Sequence, residues 1–196
     1  MDEIKITAEP KDNSSCRFVV DRPVYEGGSV FFGSKERATG SNLAEKLFAI
    51  DGISSVLIQD NFVTVTAATG GNWMPVAKQV GATIRSVLGS GEKPVSDAVL
   101  SSIPDAETIK KRVQGILDQE INPAVAAHGG WVELIDVKRN EVFIRMGGGC
   151  VGCGMADVTL KQGVEKTIRQ AIPEVGAILD TTDHASGRNP YYSPAK

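Results

Sequence analysis

The sequence is sparing with chemistry-bearing residues. It has 196 residues with only two histidines, three cysteines, 6% aromatics and a net charge of −3. So mild a charge gives no electrostatic case for nucleic acid or an anionic membrane as partner. No apolar run approaches the roughly 20 residues that span a bilayer. Residues 1–12 are polar and mixed in charge, with neither the apolar stretch of a signal peptide nor the arginine bias of a transit sequence. The reading is a soluble cytoplasmic protein, or an organellar-matrix form if a transit peptide has been removed. An odd number of cysteines, only two of them close together, excludes a disulfide framework, which wants an even count at dispersed positions in a secreted domain. The first half shows no paired carboxylates, Ser/His pair or phosphate loop, so its expected role is binding, in dimer support or client recognition.

What is present falls into two modules. In the first, the apolar segments Cys16–Val20 and Ser29–Phe32 read as strands. Ser41 or Asn42 can cap a helix with Leu43, Leu47 and Ile50 on one face, broken at Asp51–Gly52. Ile53–Ile58 and Phe62–Ala67 read as a hairpin about Asp60–Asn61. Asn72 can cap a second helix, with Pro75 tolerated in its first turn and Val76, Val80, Ile84, Val87 and Leu88 on its buried side.

Residues 91–105, rich in Gly, Ser and Pro, read as a linker, with room for a short helix near Ser96–Leu100. The second module restarts at Asp105, a helix cap followed by Ile109, Val113, Ile116, Leu117 and Ile121. Pro123 should kink or interrupt that helix and Gly129–Gly130 end it. Strands over Trp131–Val137 and Glu141–Met146 follow, then a glycine loop, a helix over about Ala156–Ile172, and a last strand over Val175–Leu179. The fold class expected is α+β: two small α/β two-layer domains, the second a three-stranded sheet with two helices and a cysteine-bearing glycine loop. The boundaries expected are 1–90, a linker 91–105, 106–180, and a polar tail 181–196.

The chemistry concentrates in Gly147–Gly154, where five of eight residues are glycine and two are Cys150 and Cys153. Glycines let backbone N–H groups turn toward a central object. Thiols at C-x-x-C spacing can both reach one metal or cluster. A helix starting just after Cys153 would favour thiolate and an anionic cluster through its unpaired N–H groups and dipole. Iron–sulfur cubanes and structural zinc sites want about four protein ligands, and this chain offers two. A homodimer repairs the shortage by bringing two loops to one axis. A site with two ligands per subunit suits handing a cluster on. Cys16, at the head of a strand in the other module, is expected to be a buried structural residue.

The second module resembles the NifU-like C-terminal domain of Nfu-type iron–sulfur cluster carriers. The residues that carry the likeness are His128-Gly129-Gly130 with Val132-Glu133-Leu134, Gly149-Cys150-Val151-Gly152-Cys153, Thr159-Leu160-Lys161-Gln162-Gly163 with Val164-Glu165, and Ala171-Ile172-Pro173-Glu174-Val175. The first module resembles, less tightly, the Nfu N-terminal domain, through Leu43–Phe48, Ile50–Ile53 and Phe62–Thr66 before Trp73. The resemblance implies a [4Fe–4S] cluster bridging two subunits through Cys150 and Cys153, with [2Fe–2S] or zinc in partly assembled forms. It implies transfer to apo iron–sulfur proteins, exchange with upstream cluster-assembly proteins, and no catalysed turnover of a small substrate. One position departs from the family: Gly154 stands where proline usually follows the second cysteine.

Two rival readings of Cys150 and Cys153 come from other classes: a thiol–disulfide oxidoreductase and a zinc-bridged structural adaptor. His128 is a candidate third ligand, although a helix end explains it as well. His184 is expected at the surface, and Lys161 and Lys166 on a solvated helix face. Trp73 and Trp131 are expected to pack in or against the core.

Overall fold

The computed structural model describes residues 3–68, 73–127, 129–148 and 154–182, with the backbone alone at 74 and 154–159. The chain divides into two compact units, Met1–Ile103 and Pro104–Lys196. Each is a sheet layered with helices.

In the first unit, β1 (Ile6–Pro10), β2 (Ser15–Val20) and β3 (Tyr25–Phe32) precede α1 (Asn42–Phe48). The hairpin β4 (Ile53–Asp60) and β5 (Phe62–Ala67) then leads to α2 (Trp73–Ser90). The antiparallel order is β1-β2-β5-β4-β3. Alternation sets the inner face: Cys16, Phe18 and Val20 on β2, Val56 and Ile58 on β4, and Val63 and Val65 on β5 are buried. The helices bring Leu43, Leu47, Val80, Ile84 and Val87 to the same core, as the 3- and 4-residue spacing requires. Asp60, at φ +40°, takes the tight hairpin turn. Asn61 holds that turn to β2, its side-chain amide donating to the Val20 carbonyl at 3.1 Å.

β1 was not expected from the sequence. Only two of its five positions are half-buried, so the strand leaves little apolar trace. Its turn into β2 is tied by Asp12, whose carboxylate accepts from the amides and hydroxyls of Ser14 and Ser15.

The stretch read as a linker is largely held by the first unit. The Pro94 carbonyl accepts from Ser41 Oγ at 2.8 Å and from the Leu43 amide at 3.2 Å. The Ser96 amide donates to the Gly40 carbonyl. Val95 is buried, and α3 (Asp97–Ser101) lays Val99 and Leu100 against the core. Apolar residues among the Gly, Ser and Pro provide that anchorage.

Ser41 therefore has two tasks. Its oxygen caps α1 by accepting from the Ala44 amide while its hydroxyl donates to Pro94. Ser41→Ala is expected to cost about 2 kcal/mol, one part the cap and one part the buried carbonyl left short of a partner. Thermal unfolding should show the first unit's midpoint lower by roughly 10 °C. A shift of under about 2 °C would mean that water takes over both bonds.

In the second unit, α4 (Ala106–Ile116) starts at Asp105, whose carboxylate accepts from the Thr108 amide at 2.9 Å. A π-helical turn over Leu117–Ile121 leads directly into α5 (Asn122–Ala126). This is how Pro123 is accommodated: it has no N–H to give the preceding turn, and the wider turn removes the need for one. Ile109, Val113, Ile116, Leu117 and Ile121 are all buried. β6 (Gly130–Lys138) and β7 (Glu141–Gly148) form a hairpin, α6 (Gly154–Ala171) follows, and β8 (Ile178–Asp180) lies parallel to β7. This three-stranded sheet, ordered β6-β7-β8 with α4 and α6 as its long helices, is the second layer pair the sequence implied.

Pairing continues beyond β8, into the stretch read as a polar tail. The Thr181 amide donates to the Ile144 carbonyl at 2.7 Å, and Thr182 Oγ1 accepts from the Met146 amide at 2.7 Å.

Candidate functional site

β7, α6 and β8 make a β–α–β unit. β7 ends at Gly148, and Gly154 is the first residue of α6, an 18-residue helix. In such units ligands are met beyond the carboxyl ends of parallel strands and at the amino end of the helix, where unpaired N–H groups favour negative charge. Cys150 and Cys153 fall in this interval. They lie outside the described residues, as do His128 and His184.

The frame on either side is well defined. On the β6 edge, Asn122 bonds one residue of backbone twice: its Oδ1 accepts from the Val132 amide at 2.8 Å and its Nδ2 donates to the Val132 carbonyl at 2.9 Å. On the other edge, Thr182 holds Met146. Between them, β7 ends in two glycines that the sheet itself demands. Gly148 has φ +67°, and a Cβ there would lie 2.2 Å from the Gly129 carbonyl oxygen. At Gly147 a Cβ would lie 2.1 Å from the Trp131 ring. Two of the five glycines read from the sequence as loop residues therefore end the strand.

Trp131 is not a core residue. It is 42% exposed, the large apolar side chain most open to solvent among the described residues. Its ring lies across Gly147, its partner on β7. The Arg145 guanidinium stands 5.6 Å from the ring centroid and donates to Glu133 at 2.6 Å. The signal was in the alternation: Val132 points into the core, so Trp131 and Glu133 share the opposite face.

A second polar group lies along α6. Burial raises the Glu165 carboxyl above its ordinary value, and Asp180 adds to this, while Arg169 and Lys161 oppose it. Burial also lowers the Arg169 guanidinium to about 10, with Glu165 pulling the other way. Arg169 donates to the Val175 carbonyl at 3.0 Å, tying α6 to the segment that leads into β8. Lys161 is half-buried and Lys166 is exposed.

Cys16 is fully buried in the first unit's core, and desolvation raises its thiol above the ordinary value. An inaccessible thiol that resists ionisation is a poor ligand, as its position on a strand suggested. Among the described residues, no three His, Cys, Asp or Glu side chains gather to hold a metal ion. No described helix is long and apolar enough to cross a membrane.

These features define a class: a two-unit α+β protein with a C-x-x-C pair between a strand end and a helix start. Comparison with known proteins makes it specific. Residues 113–179 match the family described as NifU-like domain, and residues 4–91 match that described as Scaffold protein Nfu/NifU N terminal. The "Fe/S biogenesis protein NfuA" of Stenotrophomonas maltophilia is 42% identical over 142 residues, 67% of each chain. Its namesake in Xanthomonas euvesicatoria is 46% identical over 110 residues, 56% of this chain and 51% of the relative. A solution structure of a NifU-like protein from Saccharomyces cerevisiae aligns with 48% of this chain and 86% of its own at 19% identity, with a TM-score of 0.43. The chain belongs to the Nfu-type iron–sulfur scaffold family. It spans between about half and two thirds of the length of these curated relatives.

Proposed function

We propose that this protein is a cytoplasmic iron–sulfur cluster carrier. Two copies hold a [4Fe–4S] cluster as cargo between them through Cys150 and Cys153 of each chain, and release it to apo iron–sulfur proteins. The observation that supports this is the frame on either side of the thiol pair in sequence: β7 ends at Gly148 beside a parallel strand and the long helix α6 begins at Gly154, and a helix start favours thiolate and an anionic cluster. The remaining cysteine is sealed in the other unit. Two thiolates per chain make about half a ligand set, so the copies complete each other. Transfer is then ligand exchange: recipient thiolates replace those of Cys150 and Cys153 one at a time, with no net oxidation and no turnover of a small substrate. The relatives' name, Fe/S biogenesis protein, supports the same reading, and partners on the supply side would be cluster-assembly proteins.

Anaerobic reconstitution with iron and sulfide tests it. The expected product is a brown dimer with about four irons and four sulfides per two chains. Cys150→Ala and Cys153→Ala should each abolish the colour, and Cys16→Ala should keep it. A colourless monomer that reduces disulfides would replace this reading with a thiol–disulfide enzyme. A colourless dimer that retains only zinc would replace it with a structural adaptor.

A further inference from the structure

We propose that Trp131 is a positioning residue for the cysteine pair: laid across Gly147 and braced by Arg145, it fixes the direction in which the chain leaves β7. This rests on the reading of Cys150 and Cys153 as cluster ligands.

Three observations converge on the last two residues of β7. The Trp131 ring occupies the space where any side chain at position 147 would stand, 2.1 Å from an ideal Cβ. Gly148 turns with φ +67° so close to the Gly129 carbonyl that no Cβ fits. The ring is itself held: Arg145, two residues before Gly147 on the same face, stands over it and is fixed in turn by Glu133. The strand bearing Trp131 is anchored at the next residue by the two bonds from Asn122.

A bulky aromatic left 42% exposed contributes little to a core, and a glycine beneath it leaves the strand end floppy unless something covers it. The covered glycine and the exposed ring explain each other. The ring takes the place of the side chain that Gly147 lacks, and holds the strand flat up to the residue before the loop. Cys150 comes three residues after Gly147 in the sequence, so the point the ring restrains is the last stretch of sheet before the first thiol. Two ligands on a short loop must present their sulfurs at a set separation, and positioning them beforehand reduces the ordering cost of binding.

The test uses the full-length protein and two readouts. In the reduced apo form, Trp131→Ala should raise the alkylation rate of Cys150 and Cys153 by iodoacetamide at least about threefold, through easier local opening. The buried Cys16 stays silent. In the reconstituted form, the same variant should shorten the cluster's half-life against an iron chelator by a similar factor, with the thermal midpoint little changed. Trp131→Phe, which keeps a flat ring over Gly147, should restore both rates. Gly147→Ala should imitate Trp131→Ala, and the double variant should be no worse than Trp131→Ala alone, because the clash needs the ring. Unchanged rates in Trp131→Ala overturn the proposal, as does a Trp131→Phe variant as fast as Trp131→Ala. Should Trp131→Ala not fold, Arg145→Ala, which frees the ring but leaves the sheet intact, decides by the same rates. If the wild type takes up no cluster, the function reading fails, and the alkylation rates alone decide this one.

Discussion

Gly148→Ala is expected to unfold much of the second unit while leaving the first intact. The substitution meets two costs at once. A left-handed backbone at φ +67° disfavours any L side chain by about 1 kcal/mol. The new Cβ would also lie 2.2 Å from the Gly129 carbonyl oxygen, a backbone atom that cannot swing aside as a side chain can. Moving it would open the Gly130–Gly148 pairing at the end of the β6–β7 hairpin. The sum is about 3–5 kcal/mol, a large share of the ~5–15 kcal/mol available to a small domain. Hydrogen exchange should show protection lost over residues 106–180 and retained over residues 4–103. A variant with wild-type protection in β6 and β7 would show that the hairpin end can shift without cost.

Arg169→Met is the second large effect, and it should depend on pH. The guanidinium holds the Val175 carbonyl and offsets the charge of the half-buried Glu165. Near neutral pH its loss should cost about 2 kcal/mol, from a carbonyl that loses its guanidinium donor and a carboxylate that loses an opposing charge. Because burial raises the Glu165 carboxyl, the folded chain holds that proton more tightly than the unfolded one. The group's contribution is complete below the ordinary carboxylate value and is lost as pH rises through the raised one. Removing Arg169 raises it further, so the variant's deficit should grow with pH across that window. Urea unfolding at pH 5 and pH 8 should show the smaller deficit at pH 5. Equal deficits at both would mean that Glu165 and Arg169 do not interact.

The sequence made the helices and the central hairpins legible because their apolar residues recur at the spacing each element requires. Leu43 and Leu47, Val80 and Ile84, and Ile109 and Val113 are all buried where periodicity put them. Asp105 and Ser41 cap as their types suggest. What escaped was structure whose stabilisation is non-local. β1 is an edge strand exposed at three of its five positions. The last strand is shorter than expected, because Val175 and Ala177 are buried in an irregular approach to it, where the Gly176 amide bonds to the Asn140 carbonyl. At the candidate site, composition drew attention to the glycines around the cysteine pair but could not sort them. That Gly147 and Gly148 belong to the sheet depends on Trp131 and Gly129, distant in sequence and close in space. The Glu165–Arg169 pair likewise looks like any exposed i,i+4 couple until burial is known.

The parallel placement of β8 beside β7 has a consequence for how a new chain matures. The β6–β7 hairpin joins neighbours in sequence and can close within about 1–10 μs. β8 can pair only after all of α6 has been made, and such long-range closure is slower. Synthesis delivers Cys150 and Cys153 before Ile178–Thr182. In a nascent chain β6 and β7 can therefore pair before Thr182 has been made and has bonded to Met146. The edge of the sheet that Thr182 closes against Met146 is therefore the last part of the second unit's frame to form.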